Sequence, residues 1–273
     1  MANTGWQYPA SADTGAIYSP GIGFWANPSY IKANDSNYAT YYSYGVTGFV
    51  SDLRGYNYGY SIPSTAQIDG VKARLYSKAN AVSSVNDNTV KLTKGAAFVG
   101  SSRNNAVYWG TGFAYQTYGS GTTDKWGLGS TLTPSYVNAT DFGWSAIINF
   151  HTTYVTGSVN FYQQIIYYTT APADPSGCAA VQAGANVNIT WNDNSSDENY
   201  FEVQVDVNGG GYNVLSTTIP ANSTAYTDTA GYTNGDTLTY RVRALKTSGP
   251  SSNWSTATAI TYKKGGPQVI WWN

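Results

Sequence analysis

Val187-Asn188-Ile189-Thr190-Trp191, Phe201-Glu202-Val203-Gln204-Val205-Asp206-Val207 and Leu238-Thr239-Tyr240-Arg241-Val242-Arg243-Ala244 each alternate apolar and polar residues. A period of two puts every second side chain on one face, so these stretches read as half-buried strands. Asn208-Gly209-Gly210-Gly211 reverses the chain before Tyr212 to Leu215, and Asn234-Gly235 turns it again before Leu238. Short strands separated by such turns predict a β-sandwich.

The order of these parts resembles a fibronectin type III domain over about residues 171–262. Trp191 stands in the second strand, a long third strand starts at Tyr200, and Tyr240-Arg241-Val242-Arg243-Ala244 forms a later one. Ser251, Trp254 and Ser255 fall where such a domain begins its last strand, expected here to run to Tyr262. The resemblance implies an Ig-like sandwich acting as a spacer or binding module without a catalytic centre, since the fold alone fixes no function.

A chain of 273 residues has room for two ordinary domains. Its 14 Lys and Arg nearly balance 15 Asp and Glu, so no charge draws it to nucleic acid. Charged residues are only 11 % of the chain, while Tyr numbers 25, Trp 9 and Gly 29, a composition suited to β-structure with tyrosine- and glycine-rich loops. The single cysteine, Cys178, excludes an internal disulfide framework and a cysteine-built zinc site, and reads as a small buried thiol. The start, Met1-Ala2-Asn3-Thr4-Gly5-Trp6, lacks the basic and apolar regions of a signal peptide, and no apolar run is long enough for a membrane span. An extracellular-looking module on a chain with no export signal is expected to be released by cell lysis.

Residues 1–58 are rich in Gly, Pro, Asn, Ser and Tyr and predict irregular extended structure with a few short strands. Strands follow in which Val71, Ala73 and Leu75 face opposite to Lys72 and Arg74, then over Val90-Lys91-Leu92, Trp144 to Phe150 and Val159 to Tyr168. The last is apolar on both faces in places, as a central strand would be. Pro63 reads as a strand opener, and Gly70, Gly127 and Gly143 as turn residues, together the punctuation of a jelly roll. Thr169-Thr170-Ala171-Pro172-Ala173-Asp174-Pro175-Ser176 marks a short, semi-stiff domain boundary. The organisation expected is a jelly-roll-like β-sandwich over 1–170, the fibronectin type III sandwich over 171–262 and an aromatic tail over 263–273. In that tail Ile270, Trp271 and Trp272 would dock on a neighbouring subunit or on the first domain.

Phe24-Trp25-Ala26-Asn27-Pro28, then Tyr60-Ser61-Ile62-Pro63, then Trp126-Gly127 and Phe142-Gly143 are similar in order to an N-terminal β-sandwich module of tailed-phage structural proteins, over about residues 20–170. That resemblance implies a virion protein: a head decoration, a head fibre or a tail component. Its partners would be other capsid or tail proteins and further copies of itself.

The first 170 residues hold no glutamate, and their aspartates (Asp13, Asp35, Asp52, Asp69, Asp87, Asp124 and Asp141) mostly sit in Asn/Ser/Gly contexts that suit turns. Nothing proposes the paired carboxylates of a glycosidase. His151 is the only histidine, so neither a triad nor a zinc site is suggested, and it reads as a polar residue at a strand end. Asp35-Ser36-Asn37 offers alternating oxygens of a kind that bind calcium, but without the glycine and glutamate of an EF-hand it reads as a turn. No catalytic residue, metal or cofactor is expected.

The remaining candidates are aromatic. Tyr41, Tyr42, Tyr44, Tyr60 and above all Tyr56, Tyr58, Trp109, Tyr115, Tyr118 and Trp126 read as loop or strand-margin residues whose rings would stack on host-surface glycans. The alternative is that they fill a core poor in leucine or a subunit interface. A non-enzymatic virion surface protein is the first functional reading. A lectin-like carbohydrate-binding accessory protein is the second, and a polysaccharide depolymerase the third.

Overall fold

The computed structural model describes residues 1–15 and 22–264, so Ile270, Trp271 and Trp272 lie outside the described residues. The chain divides into two compact units, Met1–Thr169 and Thr170–Asn273. Both are built of antiparallel sheets packed face to face.

In the first unit the strands are β1 (Ala2–Asn3), β2 (Ser11–Thr14), β3 (Ala39–Tyr42), β4 (Gly48–Phe49), β5 (Leu53–Tyr56), β6 (Gln67–Ala79), β7 (Val85–Lys94), β8 (Ala97–Val99), β9 (Ala114–Tyr118), β10 (Phe142–Phe150) and β11 (Thr156–Thr169). One sheet runs β1-β11-β6-β9, with β3 also on β11; the other runs β2-β5-β10-β7-β8, with β4 also on β10. With β4 and β5 counted as two pieces of one strand along β10, β3 to β11 make eight strands in the orders β3-β11-β6-β9 and β5-β10-β7-β8, the two-Greek-key order of a jelly roll, and the chain changes sheet at every connection between them except β7–β8. The alternation in β6 does what its sequence says: Val71, Ala73 and Leu75 are buried and Lys72 and Arg74 are half-exposed. β11 is central, between β6 and the short strands β1 and β3. It is apolar on its outer face too, because Tyr8 of the N-terminal segment covers Phe161 with ring centroids 5.5 Å apart.

Three details differ from the sequence reading. Pro63 does not open a strand; its carbonyl accepts the Ala66 N–H at 3.0 Å in a turn before β6. Gly70 and Gly143 lie inside strands where neighbouring backbone leaves no room for a Cβ, the Thr122 carbonyl at one and the Gly55 carbonyl at the other. Most aspartates also do more than hold turns. Asp13 pairs with Arg54 and Asp141 with Lys94. Asp124 accepts from Arg103 Nε at 2.7 Å and Nη2 at 2.8 Å and from the N–H groups of Ser120 and Trp126.

The second unit has β12 (Ser176–Ala183), β13 (Asn186–Asn192), β14 (Tyr200–Val207), β15 (Tyr212–Pro220), β16 (Ala225–Asp228), β17 (Thr237–Leu245), β18 (Ser255–Thr256) and β19 (Ile260–Thr261). A sheet ordered β12-β13-β16 faces one ordered β15-β14-β17-β18, with β19 also on β17. Three strands against four in this order is the fibronectin type III-like sandwich. Its core joins Val187, Ile189 and Trp191 to Phe201, Val203, Leu238, Tyr240 and Val242. The expected last strand is interrupted: Arg241 pairs with Thr256 and Leu238 with Ile260, so the final strand carries one residue more than β17 between the two pairs and bulges. Arg241 lies over both Tyr212 and Trp254, 3.6 and 4.1 Å from the ring centroids, which accounts for the outward alternation of arginines on β17. The proline-containing boundary segment is tied into this unit: Asp174 accepts the N–H of Asn253 at 2.8 Å and its side-chain amide at 3.0 Å. Burial pushes the Cys178 thiol up to about 11, which leaves it a packing residue and a poor nucleophile at neutral pH.

The hydrogen bonds from Arg103 hold the Asp124 carboxyl well below the usual carboxylate range. A depressed folded value contributes stability above the unfolded value, about 3.9, and loses it as pH falls toward the folded one. Asp124→Asn is expected to lower the melting temperature at pH 7 by about 3–6 °C. In melts taken from pH 5 down to pH 2 the gap to the wild type should shrink.

Candidate functional site

The structure separates the aromatic candidates into two groups. Trp109, Trp126, Tyr58, Tyr60 and Tyr118 belong to the core of the jelly roll, with Trp109 only 1 % and Trp126 0 % exposed. They cannot offer a ring face to a ligand, and for these five the surface reading is corrected. The reason is visible in their partners: Trp126 donates its indole N–H to the Val71 carbonyl at 2.8 Å, and Tyr118 packs against Trp144 with centroids 5.9 Å apart. In a core short of leucine, large rings supply the buried area. Tyr115, 51 % exposed, and the half-buried Tyr56 remain at the surface on opposite sheets. Tyr56 lies under the Arg54 guanidinium, 4.4 Å from its centroid.

A more coherent surface is built at one end of the sandwich, where jelly-roll topology gathers the connections β3–β4, β6–β7, β8–β9 and β10–β11. Hydrogen bonds interlock all four. Ser43, fully buried, accepts the Tyr154 N–H through its carbonyl at 2.6 Å and donates its N–H to the Val155 carbonyl at 2.9 Å. Its hydroxyl lies 3.0 Å from the Thr152 carbonyl and accepts the Val155 N–H at 3.1 Å. The His151 N–H donates to the Ser84 carbonyl at 2.8 Å, and Asn80 and Thr156 exchange bonds. His151 Nε2 lies 2.9 Å from Asn86 Oδ1, and the His151 ring meets Tyr108 edge-on at 5.1 Å. Beneath them Trp109 donates its backbone N–H to the Val85 carbonyl at 2.8 Å.

Over residues 42–49, 80–86, 104–112 and 149–156 there is no Asp, Glu, Lys or Arg. The rings there face solvent: Tyr44 is 75 %, Tyr154 60 % and Tyr42 46 % exposed. Tyr44 meets Tyr42 at 5.9 Å and Tyr154 at 5.7 Å, so the three form one chain of rings. Tyr154 holds φ of 59° and Ala106 φ of 55°, backbone shapes that residues with a side chain avoid unless their surroundings impose them. The end is therefore rigid, uncharged and aromatic, with hydroxyls and amides at its rim. Such a surface can stack on a ring and hydrogen-bond its substituents.

Tyr42 and Tyr44 were legible as candidates in the sequence. Tyr108, His151 and Tyr154 were not, because only the topology brings residues about 65 to 110 positions apart to one end; the shared lack of charge in four separated segments is the signal that could have found them. Among the described residues no three His, Cys, Asp or Glu side chains gather as a metal site. Asp35 accepts the Asn37 N–H at 2.7 Å, the geometry of a turn.

No family model matches the chain, and no curated protein matches it. Similar solved structures include an Fn3-like protein from Clostridium thermocellum, 33 % identical over 33 % of this chain and 94 % of that one, with a TM-score of 0.27. The fibronectin type-III domain of human fibronectin type III domain containing protein 3 is 16 % identical over 37 % of this chain and 95 % of that one, with a TM-score of 0.28. A two-domain fibronectin type-III segment of chicken tenascin is 10 % identical over 84 % and 100 %, with a TM-score of 0.31. Scores this low carry no weight, and the class, an all-β chain of a jelly-roll-like and a fibronectin type III-like sandwich, stands on the strand order.

Trp109→Ala and Trp126→Ala are each expected to cost about 3–5 kcal/mol in urea unfolding, as buried ring deletions do. Tyr44→Ala should stay within about 0.5 kcal/mol of the wild type, since its ring is in solvent.

Proposed function

We propose that this chain is a non-enzymatic surface protein of a tailed-phage particle, a head decoration, head fibre or tail component. In this reading it touches host-surface glycans through the uncharged loop end of its jelly roll, and the fibronectin type III-like sandwich serves as a spacer. The observation that carries the contact surface is the interlocked end on which Tyr42, Tyr44 and Tyr154 are exposed without a charged neighbour in any of the four segments. Tyrosine rings stack on sugar faces, and Thr152 and Thr153 supply neutral partners for hydroxyls. The particle assignment draws on the motif order that resembles the phage module. The non-enzymatic reading is supported by the employment of the first unit's acids: Asp13, Asp124 and Asp141 pair with cations, and Ser145 donates to Asp52 at 3.2 Å. Asp69 is held by Gln67 and Thr169, and Asp87 is buried and accepts the Asn105 N–H at 2.9 Å.

The same loop end also suits a lectin-like accessory protein, and one pair of measurements distinguishes the two. Mass spectrometry of purified particles should find the chain in fixed copy number; a free, sugar-binding form missing from particles would favour the lectin. On a glycan array the double variant Tyr44→Ala/Tyr154→Ala is expected to bind about tenfold or more weakly than the wild type, with its melting temperature unchanged. Unaltered binding by that variant would remove the loop end from the proposal.

A further inference from the structure

The outer face of β11–β6–β9 has a different chemistry from the loop end. Tyr115, Tyr76 and Phe161 are directly opposite one another on the three strands and form a row of rings, with centroids 4.9 Å apart between the tyrosines and 5.3 Å between Tyr76 and Phe161. Lys72, Arg74 and Lys78 stand on the same side of β6 as Tyr76. Residues two apart in a strand are about 7 Å apart, so these cations mark a line about 20 Å long.

None of the three is in an ion pair among the described residues, whereas Arg54, Lys94, Arg103, Arg243 and Lys246 all are. The outward positions of the three strands hold Thr117, Gln163, Ile165 and the residues just named, with no carboxylate. Asp69, at the start of β6, is buried. Asp35, on the loop held by Asn160, spends its carboxylate on the Asn37 N–H.

Arg74 is held ready. Its Nε donates to Gln163 Oε1 at 2.8 Å, and its guanidinium lies 4.1 Å from the Trp6 ring centroid and 4.3 Å from that of Tyr115. Trp6 is delivered by the N-terminal segment, which Gln7 and Gln164 fasten to β11 through paired backbone bonds of 2.9 and 3.0 Å. This clamp fixes the plane of the guanidinium and leaves its two terminal nitrogens for a carboxylate, the planar group its fork matches.

We propose that this face is a second binding site, for an acidic polysaccharide lying along β6, with Lys72, Arg74 and Lys78 meeting successive carboxylates and the exposed Tyr115 ring stacking on a sugar. A line of unpaired cations beside an exposed ring, with amide and hydroxyl groups from Gln163 and Thr117 between them, complements a uronate chain in both charge and surface. A nucleic acid is the other polyanion such a face could meet, and the DNA arm of the test below separates the two. The site is separate from the loop end and does not depend on it.

Affinity electrophoresis in gels containing polygalacturonate, neutral galactan or single-stranded DNA tests it with the full chain. Polygalacturonate should retard the wild type, with retardation falling as salt rises. The variant Lys72→Gln/Arg74→Gln/Lys78→Gln should lose about tenfold or more in apparent affinity for polygalacturonate, and Tyr115→Ala should also weaken it. Lys72→Gln and Lys78→Gln alone leave the Arg74 clamp intact, so each should weaken binding at an unchanged melting temperature. Lys91→Gln/Lys125→Gln, off this face, and Tyr44→Ala/Tyr154→Ala, at the loop end, should bind polygalacturonate as the wild type does. Full retention of polygalacturonate binding by the triple variant would overturn the proposal. So would an equal loss in the Lys91/Lys125 variant, or stronger retardation by DNA than by polygalacturonate.

Discussion

Trp144 of β10 lies flat on Tyr162 of β11, ring centroids 3.9 Å apart and planes within 14°, and the two strands belong to opposite sheets. This stack sets how the two halves of the jelly roll meet. Tyr162 then reaches the far sheet with its hydroxyl, donating to the Leu53 carbonyl at 3.1 Å, where Ser145 also donates at 3.0 Å. Buried rings of this size remove large apolar areas from water, but a phenol at the centre needs a polar partner. The core therefore has to admit oxygen atoms, and the burial of Asp52, Ser145, Gln164 and Asp87 beside Tyr60, Tyr118 and Tyr162 follows from using tyrosine where other proteins use leucine. Burial holds the hydroxyls of Tyr58, Tyr60, Tyr118 and Tyr162 well above the ordinary phenol range, so they stay protonated across all ordinary pH.

That same choice explains what could and could not be read from the sequence. Alternation in β6, β13, β14 and β17 was legible because one face of each is core and the other is not, and the period of two survives whatever the partner strands are. The short strands β1 to β5 were legible only as irregular extended chain, since strands of two to four residues have too little period to detect. β12 and β16 were missed in detail because Ser176–Ala183 and Ala225–Asp228 are edge strands of small and polar residues. For aromatics the sequence was least informative: a tryptophan flanked by glycine looks the same whether it fills a core or crowns a loop. Trp109-Gly110 and Trp126-Gly127 went inward, while Tyr44-Gly45 went outward. Only the hydrogen bonds around each distinguish them, and those depend on partners far along the chain.

Charge shows why the two surfaces of the jelly roll differ. A sheet face in solvent tolerates long cations, whose stems cover apolar neighbours while their heads stay wet, and β6 uses Lys72, Arg74 and Lys78 in that way. The loop end has no such freedom. Ser43, Asn80, Asn86 and His151 are committed to holding four connections in register, and Tyr154 and Ala106 are bent into left-handed backbone to complete the fit. A charged side chain placed there would need hydration that the interlocked backbone groups already compete for. Neutral hydroxyls and amides satisfy the loops, and rings that find no space below are left outside. An exposed chain of tyrosines is thus compatible with the fold at no electrostatic cost, and because its backbone is fixed in advance, a partner that stacks on it has little ordering to impose. Rigidity of the loops and exposure of the rings have one source, the network centred on Ser43.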